Sequence, residues 1–459
     1  MGFGAPAVSQ VAEKVPDLRR EMGLGVPAVS QVAEKVPDLR RAGSGGTGSG
    51  GTGSGWTENN NIQMINVYTI TSGLHDEQAV KSLSDAFLQE VFPEGDYVFK
   101  GSRFADFGTG ALDLIYVRTG GSEAIFKQLL PEMLARGVER YYLLTSGKSN
   151  SLAASLEILS YLRQQGLKGE VLHGSAAYLR RRIQVLATVD KARKALQGAR
   201  IGVVGQPSDW LIASHADPMA VMDRLGPRLV EIPMEELLLE IEKAPKESAP
   251  ADEPMAAAVR EAYPGATRIY HALEVLVNRY QLSAFTLRCF DLLTAVGNTG
   301  CLALASFNAD GLPAACEGDV PALLSMMIAQ ALTGTTGFQA NPARIDAETG
   351  KMLFAHCTVP FNMVEHWQYD THYESGIGVG IHGELPEGPV TVFKVSGKLD
   401  RWFAAEGELL YNQYEDNLCR TQVAIQLSRE DARYFLTAPV GNHHIILPGH
   451  CKELIQELL

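Results

Sequence analysis

From Met64 onward the chain alternates apolar, strand-like runs with amphipathic, helix-like ones, and this alternation restricts the fold more than any other feature. MINVYTIT is followed by a helical pattern over Glu77–Val91. DLIYVRT (Asp113–Thr119) precedes Ser122–Arg136, YYLLTSG (Tyr141–Gly147) precedes Ser151–Gln165, and EVLHG (Glu170–Gly174) closes the series. Strands separated by helix-length segments imply a parallel sheet, because the chain must cross back over the sheet before the next strand can run the same way. A long helical stretch over Ala176–Gln197 leads to a second start at RIGVVG (Arg200–Gly205). That strand, the helix after it and LVEIP (Leu229–Pro233) open a second α/β unit, interrupted by a loop or insertion at Ala244–Met255. After Leu332 short β-prone runs and Gly/Pro turns replace the helical period, which predicts a mostly β region with the strand spacing of antiparallel sheets or barrels. The expected fold class is α/β, with boundaries at 64–174, 175–332 and 333–459.

The segment before Met64 has a different character. PAVSQVAEKVPDLRR occurs at Pro6–Arg20 and again, letter for letter, at Pro27–Arg41, followed by GSGGTGSGGTGSG over Gly43–Gly55. Natural repeats drift and a repeat array needs about three stacked units, so 1–42 reads as an engineered tandem peptide and 43–63 as a flexible linker. Val8, Val11, Ala12 and Val15 fall at helical spacing until Pro16 ends the pattern,. A helix this short is marginal alone in water. The expectation is a binding tag for a protein partner, with the bare tail as the alternative.

Composition narrows the partners. The chain is 46% hydrophobic and 20% charged, ordinary for a soluble protein,. A net charge of −13 argues against nucleic acid or an anionic membrane, since phosphate binding needs clustered Lys and Arg,. The one basic run, Arg180–Arg182, is expected to be a solvated helix face. No uncharged apolar stretch approaches the roughly 20 residues needed to span a bilayer. The six cysteines form no CxxC pair, which suggests reduced thiols and a cytoplasmic setting,.

The chemistry-bearing residues concentrate at strand ends. RIGVVGQPSDW lacks both GxGxxG spacing and a GK[ST] ending, so no nucleotide is expected and Ser208 or Asp209 is read as a helix cap,. In PAACEGDVPALLSM a small-residue strand delivers Glu317 and Asp319 to its carboxyl end just before an apolar helix. That is where open α/β sheets bind ligands, although an acid there also serves as a helix cap. His356 ends the strand MLFAH, and His443 and His444 lie in GNHHIILPG. Three histidines with an acid-bearing strand end favour a divalent-metal site over core histidines. Trp367, Tyr369, His372, Tyr373 and Glu374 suit sugar stacking and hydroxyl binding, or equally a β-edge with packing aromatics. Cys316 and Cys357 read as small packing residues.

At LLTSGKSNSLAASLEIL, GVVGQPSDWLIAS, ACEGDVPALLSM, AHCTVP and GNHH the chain resembles the L-fucose/L-arabinose isomerase superfamily, in its divergent branch. The resemblance implies two Rossmann-like domains followed by a β-rich C-terminal domain, a trimer or hexamer, and Mn²⁺-dependent (or other divalent-cation-dependent) aldose–ketose isomerisation of a small sugar. It implies Glu317 as metal ligand and acid/base, with Asp319 beside it as a catalytic candidate. It further implies His444 and His356 as metal positions, and His443, Trp367, Tyr373 and Glu374 are expected to contact substrate. Family members carry a second carboxylate where this chain has Ala340 or Asn341. Asn341 can coordinate through its carbonyl but cannot take a proton, and Asp319, Asp346 and Glu374 are the candidates to replace it.

Overall fold

The computed structural model describes residues 65–459. The duplicated peptide and the linker lie outside the described residues.

The first sheet holds five parallel strands in the order β2-β1-β3-β4-β5. In chain order its elements are β1 (Ile65–Ile70), α1 (Glu77–Val91), β2 (Tyr97–Gly101), β3 (Leu112–Val117), α2 (Glu123–Ala135), β4 (Arg140–Leu144), α3 (Ser151–Gln164) and β5 (Lys168–Leu172). β1 and β3, buried on both faces, pair in register from Ile65↔Leu112 to Ile70↔Val117, which is why they read as unbroken apolar runs. β2 was not anticipated. It is a half-exposed edge strand, YVFKG, without the apolar run that marks a central one.

α4 (Ala176–Leu196) carries the chain to the second sheet, four parallel strands in the order β7-β6-β8-β9. These are β6 (Arg200–Val204), β7 (Arg228–Ile232), β8 (Ala284–Leu287) and β9 (Ala314–Cys316), with α5 (Pro218–Leu225), α6 (Met234–Lys243), α7 (Ala257–Tyr280), α8 (Asp291–Ala295) and α9 (Cys301–Ala309) between them. α10 (Val320–Thr333) follows β9 at once.

The remaining chain forms β10 (Phe338–Ile345), β11 (Lys351–His356), a small hairpin of β12 (His366–Asp370) and β13 (Gly380–Glu384), then β14 (Gly388–Val395), β15 (Trp402–Gln413), β16 (Thr421–Gln426), α11 (Arg429–Thr437), β17 (His444–Pro448) and α12 (Lys452–Leu458). Six of these strands close an antiparallel barrel in the order β10-β11-β16-β15-β14-β17. Closure removes the unpaired edges that an open sheet would expose.

α10 joins sheet to barrel. Asp319 caps it by accepting the Ala322 amide at 2.8 Å, Pro321 sits in its first turn, and Gly334 ends it in the left-handed region,. Its Leu323, Met326 and Met327 pack with Val189 and Leu196 of α4, Phe393 of β14 and Ile445 of β17 in one core cluster. A helix apolar on every side belongs in such a three-way junction.

Two local expectations are corrected. The loop after β6 contains no helix for Ser208 or Asp209 to cap. Instead the Ser208 amide donates to the Glu317 carbonyl at 2.9 Å, Asp209 pairs with Arg288, and Asp217 caps α5. Arg180–Arg182 is not a merely solvated run either. Arg182 binds Glu170 through two nitrogens at 2.8 and 2.6 Å and also Glu457, while Arg181 binds Glu453, so the basic face clamps α12,. Among the described residues no helix is long and apolar enough to cross a membrane.

Candidate metal centre

Glu317 leaves the end of β9 in an unusual conformation. Its φ is +64°, in the left-handed region that non-glycine residues seldom occupy,. Gly318 follows at φ +72°, and a Cβ there would meet the Gln206 carbonyl oxygen at 2.6 Å and Pro207 Cα at 2.7 Å. The glycine is therefore required twice, by its backbone angle and by the loop lying against it. The result is a sharp turn that points Glu317 at the barrel and leaves Asp319 to cap α10.

The barrel brings the histidines. His356 ends β11 and His443 immediately precedes β17. Glu317, His356 and His443 are all buried, and each offers a ligand atom within 4.8 Å of the others. The two imidazoles meet edge to face with ring centres 5.4 Å apart. His443 Nε2 sits 3.4 Å from Glu317 Oε1, close enough for an ion pair although the alignment is not that of a hydrogen bond. The second Glu317 oxygen accepts from the indole of Trp210 at 2.6 Å.

A further ring of contacts orients the first. Asp319 Oδ2 holds His443 Nδ1 at 2.9 Å, and Lys394 Nζ lies 3.3 and 3.2 Å from the two Asp319 oxygens. Asp319, Lys394 and His443 are fully buried. A carboxylate behind a histidine fixes the ring and its tautomer, as it does behind metal-bound histidines. Thr358 does the same for His356, bonding Nδ1 at 3.0 Å and leaving Nε2 for the site.

The protonation states follow from these contacts. Burial works to raise the Glu317 carboxyl, but the close approach and charge of His443, followed by His356 and Trp210, bring it down to about 2. Burial works to lower His443, yet its hydrogen bond to Asp319 and the nearby Glu317 carboxylate lift it to about 9. Asp319 is held well below the carboxylate range, with Lys394 and His443 overcoming its burial. His356, buried and beside His443, is pushed down to about 3 and stays neutral. One carboxylate, one neutral imidazole and one imidazole whose Nε2 proton a cation can displace could together hold a metal ion,. With bonds of about 2.0–2.2 Å the three ligand atoms must draw closer than the 4.8 Å that now bounds their separations, as His443 and Glu317 already do at 3.4 Å,.

Glu317 and His356 line a cavity of about 20 Å³, together with Asn341, His372, Glu374, Phe290 and four cysteines, Cys301, Cys316, Cys357 and Cys419. That is room for a single water-sized guest. All these cysteines are free, and Cys316 Sγ lies 3.0 Å from Cys289 Sγ. Burial and the charge of Glu317 raise the Glu374 carboxyl at the cavity's outer side. Trp210, 52% exposed, packs edge-on against Phe290, which packs against His372.

The expected site residues divide. Glu317, His356, Asn341 and Glu374 line the cavity, and His443 joins Glu317 and His356 rather than a sugar-binding rim. His444 turns away. Its Nδ1 meets the Asn442 carbonyl at 3.0 Å, its Nε2 meets the Tyr434 hydroxyl at 3.2 Å, and its ring sits among Phe403, Tyr434 and Phe435. Asp319 stands behind His443 rather than in the cavity. Trp367 packs on Phe361 and Tyr369, and Tyr373 lies under the Arg420 guanidinium; neither lines the cavity. Asp346 is occupied in the turn between β10 and β11, accepting from the Glu348 and Thr349 amides. Sequence reasoning missed Lys394 and Trp210. A lysine inside the apolar run VTVFKVSG was the available signal for the first, while nothing local marked the second.

Comparison with known proteins corrects the expected kinship. No family model matches the chain. It is similar instead to the sulfoquinovose isomerases of Priestia aryabhattai (26% identical over 303 residues, 61% of this chain and 66% of the relative), Clostridium sp. strain MSTE9 (30% over 205 residues, 40% and 44%) and Alkalicoccus urumqiensis (26% over 335 residues, 68% and 71%). The chain spans just under two thirds of the length of the first of these relatives. The matches are to sulfoquinovose isomerases and not to fucose or arabinose isomerases, so that resemblance is withdrawn.

Proposed function

We propose that the chain is a sugar aldose–ketose isomerase, acting on sulfoquinovose or a related aldose, with a divalent cation, Mn²⁺ or another, at Glu317, His356 and His443. The observation that supports this most is the buried acid–imidazole–imidazole triad at the carboxyl end of a parallel strand, taken with the isomerase relatives. When bound, the cation supplies Lewis-acid polarisation of the sugar's carbonyl and hydroxyl oxygens.

Isomerisation through an ene-diol moves one proton between adjacent carbons, so a group of intermediate basicity must take it and return it. Glu317, held near the bottom of the carboxylate range, is a ligand rather than that base. Glu374, with its carboxyl raised and its side chain lining the cavity, is the proton carrier. Asn341 stands beside the site as a neutral carbonyl acceptor. Asp319 and Lys394 fix His443 and do not touch substrate. A sugar exceeds the present cavity, so its entry requires movement of the surrounding groups, among them Trp210, which bonds Glu317 and packs on the lining Phe290,.

The test is interconversion of sulfoquinovose and its ketose, followed in deuterated water with Mn²⁺ supplied. Turnover with solvent exchange at C2, reduced at least 100-fold in Glu374→Gln with metal content unchanged, is the expected result. Tight sugar binding without interconversion would show a carbohydrate-binding protein instead.

A further inference from the structure

A second and larger cavity, of about 240 Å³, lies at the amino ends of β3 and β4, on the side of the first sheet opposite its strand carboxyl ends. Phe107, Leu112 and Val138 give it apolar walls. Most charged groups around it are already engaged. Asp113 accepts from Asn66 at 2.7 Å and from the Gly108 amide, Asp190 pairs with Lys194 at 2.7 Å, and Arg136 donates to Glu132 and to the Phe104 carbonyl. Two lining groups are different. Arg140, half-buried, has no ion-pair partner among the described residues. Tyr142, 94% buried (6% exposed), has a hydroxyl with no hydrogen-bond partner among them. Beside these two lies Arg193, whose Nη1 is likewise buried without a partner.

A buried donor without an acceptor is costly, and a guanidinium only donates. The buried and half-buried groups left over can all donate, and two of them are cationic, so they suit an acceptor ligand, preferably charged. We propose that this cavity binds a small oxyanion, a phosphate group either free or on a small organic monoester. Arg140 and the Tyr142 hydroxyl hold it, and Arg193 adds positive potential from behind. Glu139 at the rim and the paired Asp113 and Asp190 oppose an anion that carries further acidic groups, which favours a compact one with a single phosphate. The site is independent of the metal centre and of the isomerase reading.

The experiment is isothermal titration of the full chain with inorganic phosphate and separately with glycerol 3-phosphate, at ionic strength matched by chloride. Expected is saturable binding, weakened at least tenfold in Arg140→Gln and several-fold in Tyr142→Phe, with metal content unchanged in both. Tighter binding of glycerol 3-phosphate identifies a monoester site, and equal binding identifies a site for the free anion. No saturable heat above the chloride control, or affinity that both variants retain, overturns the proposal. Tyr142→Phe removes one oxygen and Arg140 is half-buried, so folding is kept, and thermal unfolding of each variant verifies it.

Discussion

At the carboxyl ends of β1, β3 and β4 the first sheet presents hydroxyl groups satisfied within its own loops, whereas at the carboxyl end of β9 the second presents charges that it cannot satisfy alone. In the first, the Ser72 amide donates to Thr119 Oγ1 at 2.9 Å, Ser122 Oγ to the Thr119 carbonyl at 2.6 Å and Thr145 Oγ1 to Ser151 Oγ at 2.7 Å. In the second, Glu317 and Asp319 depend on His356, His443 and Lys394 from the barrel. Two sheets of the same class carry chemistry or lack it according to what faces their strand ends. A second body packed against the crevice supplies the counter-charges that let ionised groups stay buried.

The comparison breaks most visibly at Lys394. Lys394→Met leaves the fully buried Asp319 with His443 alone to balance two buried carboxylates and should cost about 3 kcal/mol in urea unfolding,. The double variant with Asp319→Asn should recover much of that loss, because it removes the stranded charge. Next comes Gly318→Ala. A left-handed backbone costs an alanine about 1–2 kcal/mol, and its Cβ must displace the Gln206–Pro207 backbone. Thermal unfolding should register at least that loss, and metal affinity should fall with the displaced Glu317. On the hydroxyl side Thr145→Val should cost only about 0.5–1.5 kcal/mol and leave metal content unchanged. The smallest effect belongs to a charge outside both sets of strand ends. His271 lies between Glu274 at 2.7 Å and Glu247 at 2.8 Å, and these hydrogen bonds outweigh burial and raise its pKa. Because the folded value is raised, its stabilisation is fully present below the unfolded value of about 6.5 and is lost as pH rises through the folded one. Relative to His271→Gln, the native protein should gain about 0.5 kcal/mol on the acid side of that window.

The sheets were legible because their signal is local. A buried parallel strand is an apolar run and its crossover helix an amphipathic one, so β1, β3, β4, β6 and β7 could be read where they lie,. β2 escaped because an edge strand need not be apolar. The candidate site was legible only by segment. EGD, AHC and GNHH gave three of its corners, but which member of each pair points inward depends on register. His443 and His444 are neighbours whose side chains leave opposite faces of the chain, and the pairing Ala340↔His444 turns the second toward the Tyr434 side. Glu317 and Asp319 are separated by a left-handed turn that acids at a strand end do not announce. Lys394 was hidden for the opposite reason, since a lysine in a strand reads as solvent-facing until its buried partner is seen.

The most direct measurement is equilibrium binding of Mn²⁺ to the intact chain and to Glu317→Gln, His443→Ala and His444→Gln. Stoichiometric binding that is lost in the first two variants and kept in the third is the predicted result, with circular dichroism verifying that each is folded. Binding that survives His443→Ala but disappears in a folded His444→Gln would contradict the account, because it would put the metal on the other face of β17.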